Sequence, residues 1–308
     1  MELEMKKPRV GFIGLGLMGQ GMAENILNKG FPLTVMAHRN RSVVDDLCSR
    51  GASEVTTPAE MARHNDIVII CVGTSEQVES LVLGEEGLLS GAHAGLTIVD
   101  CSTSLPSSTL MLSEKASQAG VKMIDAPLAR TPKEAREGRL NVMVGGDSAT
   151  LDRVRPVLEA FSENIFHIGP TGSAHKLKLI NNFLVLGTSS LVAEASVMAE
   201  KLGVDHKVLL EVCSKGGANS AMLNAIMPWV IDADDSRMQF SIGNAAKDLR
   251  YLREASDNSD ILTRLLPTVH EAFSSAEDEL GSGETIPKIF DSFCKINDID
   301  ITTIRNQK

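Results

Sequence analysis

A short apolar strand, residues 9–13, runs without pause into Gly14-Leu15-Gly16-Leu17-Met18-Gly19, and this junction restricts the fold more than any other feature of the chain. The helical pattern that follows (Met22, Ala23, Ile26, Leu27) stops at Gly30, a C-cap residue type, and a second strand at 33–36 completes a βαβ unit. Each glycine has its own task. Gly14 permits the tight turn, Gly16 lets the backbone approach a pyrophosphate, and Gly19 lets the helix pack close against the strand. The spacing therefore predicts a dinucleotide site made by Gly14, Leu15, Gly16, Leu17, Met18 and Gly19. Backbone amides at a helix N-terminus hold phosphate there whatever the overall charge of the protein.

An acidic residue at the end of the second strand would bind the ribose 2′-hydroxyl of NAD. The chain instead reads Ala37-His38-Arg39-Asn40-Arg41-Ser42, and no carboxylate occurs before Asp45. Arg39 and Arg41 suit a 2′-phosphate, with His38 and Asn40 beside them, so the favoured cofactor is NADP and NAD is the alternative.

Strand-like apolar runs recur at 66–72, 97–99, 121–124, 141–144 and 164–168, alternating with helical patterns. That order predicts an α/β fold with a doubly wound, mainly parallel Rossmann-type sheet. Ligands gather at the carboxyl ends of such strands, which nominates Val72 and Gly73, then Ser102 and Thr103, then Ala129, Arg130 and Thr131. Beyond Ile168 the strand signals cease. A long helix opens near Ser173 and reaches Leu202, and further helical patterns cover 205–214, 220–230, 240–255, 259–276 and 288–296. The expected organisation is a dinucleotide-binding domain at 1–169 and an all-helical substrate and dimerisation domain at 170–308, joined by the long helix. The tail from Thr302 is expected to fray.

The 308 residues, 43% of them hydrophobic, suffice for two proper cores. A formal charge of -10 argues against nucleic acid as a partner. The five cysteines are scattered and form no CxxC, and the histidines have no ligand-like spacing, so neither a disulfide frame nor a metal site is expected. No uninterrupted apolar run is long enough for a membrane span, and the N-terminus lacks a signal-like apolar segment. The expectation is a cytoplasmic protein, a homodimer or homotetramer, acting on a small anionic substrate.

The long helix begins GSAHKLKLINN, from Gly172 to Asn182. Lys178 and Asn182 stand at i and i+4 and share a helix face. An amine beside an amide can hold an oxygen and exchange a proton with it, which is half of a carbonyl-reduction site.

Taken together, these pieces resemble the β-hydroxyacid dehydrogenase family over nearly the full length. GFIGLGLMGQGMAENI matches its cofactor fingerprint, DCST at 100–103 its nicotinamide-side loop, and DAPLARTPKEAREGRL at 125–140 its substrate signature in outline. A lysine six residues after a glycine and four before an asparagine is the family's catalytic element; Gly172, Lys178 and Asn182 fit it, and Lys176 does not. Phe240 and Lys247-Asp248-Leu249 match its C-terminal motif. The resemblance implies hydride transfer between a nicotinamide and a small acidic semialdehyde or 3-hydroxyacid, with Lys178 as general acid/base and Asn182 holding the reacting oxygen. It further implies that Ser102, Thr103, Ala129, Arg130, Thr131, Phe240 and Asp248 meet the substrate, and Thr103 and Lys247 the cofactor. Whether Asp248 orients Lys178 or Lys247 is left open. Where most members carry Ser-Gly-Gly, this chain has Ala129-Arg130-Thr131, similar to 3-sulfolactaldehyde reductases, so Arg130 is expected either to grip an anion or to pair with a carboxylate such as Glu134. A catalytically inactive cofactor-binding module and a 6-phosphogluconate-dehydrogenase-like decarboxylase are the alternative readings.

Overall fold

The computed structural model describes residues 7–37 and 41–306, so His38, Arg39 and Asn40 lie outside the described residues. The strands are β1 (Val10–Ile13), β2 (Leu33–Met36), β3 (Ser53–Val55), β4 (Ile67–Ile70), β5 (Thr97–Asp100), β6 (Lys122–Asp125), β7 (Leu128–Ala129), β8 (Leu140–Gly145) and β9 (Ser162–Gly169). The helices of the sheet region are α1 (Leu17–Asn28), α2 (Arg41–Ser49), α3 (Pro58–His64), α4 (Ser75–Leu83), α5 (Pro106–Gln118), α6 (Pro132–Glu137) and α7 (Ser148–Leu158). Then come α8 (Ser173–Leu202), α9 (His206–Ser214), α10 (Ala221–Asp232), α11 (Ile242–Asp257), α12 (Leu265–Leu280), α13 (Ile289–Ile296) and α14 (Ile301–Asn306).

One sheet runs in the order β3-β2-β1-β4-β5-β6-β8-β7, with β9 beside β8. From β3 to β6 every pairing is parallel, and β8 enters antiparallel to both β6 and β7. The central strands are short apolar runs because both of their faces are covered. Phe12 and Ile69 point into one core with Met22, Val35 and Val142, while Ile13 and Ile70 point into another with Met61, Val82 and Leu112. The chain leaves β1 toward β2 and β3, then returns to β4, so β1 and β4 flank the place where strand order reverses. β3 escaped the sequence reading because Ser53-Glu54-Val55 is an edge strand without an apolar pattern.

The chain divides into two compact units, Met1–Lys178 and Leu179–Lys308, so the opening of α8 packs with the sheet. The cause is local. The carboxylate of Asp125, at the end of β6, accepts hydrogen bonds from the backbone amides of Gly172 (2.7 Å) and His175 (2.9 Å), tying the first turn of α8 to the sheet.

In the second unit the helices pack around Leu186, Ile226, Leu249, Phe273 and Phe290. α8 is long and apolar enough, by length and composition, to cross a bilayer, and half of its most apolar window is buried within the protein. Two expectations change here. The helix expected from residue 259 begins only at Leu265, with Pro267 in its first turn, where a missing amide hydrogen costs nothing. The tail expected to fray forms α14 through Asn306, because the Arg305 guanidinium stacks 4.5 Å from the Trp229 ring and donates to the Trp229 carbonyl.

Candidate functional site

In the first unit the glycine turn has the geometry its sequence implied. Gly14 has φ +103°, in the region that favours glycine, and a β-carbon there would overlap the Cys71 carbonyl. A β-carbon on Gly19 would overlap the Gly14 carbonyl, so α1 starts as close to β1 as backbone allows. At Gly16 nothing lies within 4 Å of the β-carbon position. Gly16 is the N-cap of α1, no side chain caps it, and no acidic residue occupies the first turn. Uncapped amides at the positive end of a helix, next to open space, fit a pyrophosphate, so these residues fit a dinucleotide.

The neighbouring loops are pinned to one another. The Val72 amide donates to the Ser102 hydroxyl at 3.0 Å, and the Leu105 amide to the Ser75 hydroxyl at 2.7 Å. The Asp100 carboxylate, fully buried, accepts from the Ser102 amide and the Ser104 hydroxyl. The Gly73 amide donates to the Gln77 side chain, which belongs to the Thr74 capping box of α4. Ser102 is only 3% exposed, and its hydroxyl faces Val72, so it fastens the loop where an acid-binding contact was expected; Thr103 is the half-buried member of the pair. Burial pushes the Cys71 thiol up to about 12 and Cys101 well above the ordinary thiol range, which makes both inert core residues.

The substrate-signature loop departs from expectation. Ala129 lies in β7 opposite Asn141. Arg130 has φ +84°, in the left-handed region that favours glycine. The Arg130 guanidinium pairs with Glu163 of β9 and donates to the Arg139 carbonyl, so it is held by a carboxylate other than the Glu134 considered from sequence. Thr131 caps α6 in a reciprocal box with Glu134, whose carboxyl its hydroxyl holds below the usual range. Both side chains nominated for an anion are thus engaged in holding the loop. α6 in turn docks on α1: the Asn25 amide donates to the carbonyls of Ala135 (2.9 Å) and Arg136 (3.0 Å), and a β-carbon on Gly21 would come within 2.6 Å of the Arg136 nitrogen. Sequence reading missed Gly21 and Asn25, although the second glycine of GQGM was the available signal.

Arg41 is also engaged. Its guanidinium forks onto Glu54 (2.5 and 2.8 Å) and its Nε donates to Asp45 (2.8 Å). Arg39, the other nominated cation, lies outside the described residues.

Lys178, half-buried, is carried by α8 one turn ahead of Asn182, whereas Lys176 is exposed. In the second unit Asn182 is 5% exposed; its Nδ2 donates to the Asp248 carboxylate at 2.6 Å and its Oδ1 accepts from Asn181 at 3.2 Å. The other Asp248 oxygen is 3.2 Å from the Lys247 ammonium, so within this unit Asp248 takes Lys247 and Asn182 together. Phe240, ahead of α11, packs against the unit's own apolar core. Asp248 is 2% exposed and Lys247 is mostly buried, so Asp248→Ala should lower unfolding free energy by about 3 kcal/mol, visible as a lower Tm in a thermal melt. Asp248→Asn keeps an acceptor for Asn182 and should lose less. Among the described residues no group of three His, Cys, Asp or Glu side chains is arranged for a metal ion.

Residues 9–169 match the family described as the NAD binding domain of 6-phosphogluconate dehydrogenase, and residues 172–290 match that described as NAD-binding of NADP-dependent 3-hydroxyisobutyrate dehydrogenase. The chain is 35% identical over 257 residues to the NAD-dependent L-serine dehydrogenase of Pseudomonas aeruginosa, covering 82% of this chain and 86% of that one. It is 32% identical over 256 residues to the 2-(hydroxymethyl)glutarate dehydrogenase of Eubacterium barkeri, covering 83% and 85%. The Mycobacterium tuberculosis 3-hydroxyisobutyrate dehydrogenase structure with L-serine superposes with a TM-score of 0.84 at 24% identity, over 93% of this chain and 99% of that one, a likeness of fold.

Proposed function

The chain belongs to the β-hydroxyacid dehydrogenase family and is an NAD(P)-dependent enzyme of that kind, and from that premise we propose that it moves a hydride between NADP(H) and a small acid bearing a hydroxymethyl or aldehyde group β to its carboxylate. Both L-serine and 2-(hydroxymethyl)glutarate, the substrates in the names of its relatives, carry a primary alcohol in that position. The observation that carries the reading is Lys178, one helical turn ahead of an Asn182 amide whose orientation is fixed by Asp248. When bound, the nicotinamide supplies the hydride acceptor for oxidation or the donor for reduction. Lys178 gives a proton to the carbonyl oxygen in reduction and takes it from the hydroxyl in oxidation. Asn182 retains an N–H for that oxygen after bonding Asp248, and its charge stays constant.

NADP is the proposed partner because, in the sequence, no carboxylate follows β2 before Asp45 and the segment after β2 carries Arg39, a cation type suited to a 2′-phosphate. Arg41 contributes only by releasing Glu54 and Asp45. A homodimer is proposed from the apolar side chains left exposed on the second unit: Leu184, Leu191 and Met198 recur every seven residues along α8, with Val208 and Val212 on α9. A cytoplasmic, reducing setting suits the free cysteines, and no nucleic-acid or membrane partner is proposed.

The test is a rate panel of L-serine, 3-hydroxyisobutyrate, 2-(hydroxymethyl)glutarate, tartronate semialdehyde, succinic semialdehyde, glyoxylate and sulfolactaldehyde, each with both cofactors. At least one β-hydroxyacid or its semialdehyde should turn over with kcat/KM at least about ten-fold higher for the NADP couple, and Arg39→Ala should erase that preference. A strong preference for NADH would overturn the assignment of Arg39, and no turnover with any member would overturn the substrate class.

A further inference from the structure

His175 has no place in the chemistry proposed above, yet both of its ring nitrogens and its backbone amide have partners. It is 0% exposed. Its Nε2 is 3.1 Å from the Ser102 carbonyl, its Nδ1 is 2.7 Å from the Thr109 hydroxyl, and its backbone amide donates to Asp125. The Asp100 carboxylate lies 3.9 Å from Nε2, so that nitrogen faces two acceptors and carries hydrogen. Thr109 Oγ1 is also 3.1 Å from the Leu105 carbonyl, and its hydroxyl can serve either neighbour by rotating.

These bonds join three things. Ser102 has its amide on Asp100, its hydroxyl on the Val72 amide and its carbonyl on His175. Through it the ring reaches both loops that leave β4 and β5. Asp125 locks the opposite side of the same residue to β6. Lys178 follows three positions later on α8, so the amine projects from a turn whose attachment to the Ser102 loop is the His175 imidazole.

We infer that His175 is a positioning residue, whose Nε2–H to the Ser102 carbonyl sets the Val72 and Ser102–Thr103 loops against the helix turn that presents Lys178. The inference rests on the Lys178 reading for its catalytic consequence; the loop attachment stands on geometry alone. A buried ring satisfied at both nitrogens invites a purely structural explanation, and the two explanations part over which nitrogen matters. A glutamine amide reaches the place of Nε2, and an asparagine amide that of Nδ1. Both substitutions enlarge or empty the same pocket and disturb stability alike, but only glutamine keeps the donor to Ser102.

Two readouts on the full chain decide it. In hydrogen-exchange mass spectrometry, peptides holding the Val72, Ser102 and Leu105 amides should exchange about ten-fold faster in His175→Asn and stay near the parent rate in His175→Gln. In steady-state kinetics, kcat should fall about ten- to a hundred-fold in His175→Asn and remain within about three-fold in His175→Gln, with KM for the acid shifting less than kcat in both. Equal exchange and equal kcat losses in the two variants, or loop protection unchanged in His175→Asn, would overturn the positioning role. Lys178→Ala measured alongside separates the two ideas. Full turnover in Lys178→Ala sinks the acid/base reading, while the exchange contrast between the His175 variants still decides the loop attachment.

Discussion

Lys178→Ala should cut kcat by about 10²–10⁴-fold, the range a positioned proton donor contributes, and leave NADPH affinity close to the parent value. The separation follows from where each group is found. The end of the fold that fits a phosphate is the glycine turn at the start of α1, with its uncapped backbone amides, while Lys178 belongs to the opening of α8. Lys178→Arg sharpens the test, because a guanidinium preserves the positive charge but does not release its proton at working pH. If the amine acts by proton exchange, arginine should be nearly as inactive as alanine; if it acts only as a fixed charge, arginine should restore much of the rate. Lys176→Ala is the control, since Lys176 is exposed two residues away and should leave kcat untouched. Cofactor affinity by NADPH fluorescence titration and kcat by absorbance at the nicotinamide band give both halves. Unaltered turnover in Lys178→Ala would remove Lys178 from the mechanism.

How much of this was legible in the sequence depended on the range of the interaction. The glycine turn, the central strands and the long helix were readable because each is written in neighbouring residues: apolar runs for strands buried on both faces, glycines where backbone must approach backbone. The roles of Arg130 and Thr131 were not. Thr131 is an ordinary helix cap, a local signal the motif comparison outweighed. Arg130 meets Glu163 only because β9 lies beside β8, and nothing in the residues around 130 announces that pairing. Asp248 was nominated from the C-terminal motif, but its choice of Lys247 and Asn182 depends on α8 and α11 meeting, a distance of 66 residues along the chain for Asn182. Nothing in the spacing of the histidines singled out His175. Its burial follows from Asp100 and Asp125, two carboxylates ending apolar strands, and an acidic residue in that position is the signal that could have exposed the network.

Gly14 and Gly16, two residues apart in one motif, should fail in opposite ways. At Gly14 an alanine must adopt φ +103° and push its β-carbon into the Cys71 carbonyl, which is backbone and has nowhere to go. The left-handed conformation costs about 1–2 kcal/mol and the overpacking about 1–3 kcal/mol more, so Gly14→Ala should lose about 2–5 kcal/mol of stability with or without cofactor. At Gly16 the backbone is extended, with φ -79° and ψ -163°, and any residue adopts it. Nothing in the protein lies within reach of its β-carbon. Gly16→Val should therefore lose no more than about 1 kcal/mol, the cost of exchanging a glycine N-cap for a branched side chain. Its branched side chain fills the open space over the α1 amides, however, and a phosphate kept from those donors forfeits charge-assisted hydrogen bonds of about 1.5–3 kcal/mol each. NADPH affinity in Gly16→Val should fall about a hundred-fold or more. Thermal melts with and without NADPH measure both quantities in one experiment: the parent should gain Tm on adding the cofactor, Gly16→Val should start close below the parent Tm and gain little, and Gly14→Ala should start low. A Gly16→Val protein that is stabilised by NADPH as fully as the parent would mean that the pyrophosphate is held elsewhere, and the open end of α1 would lose its function.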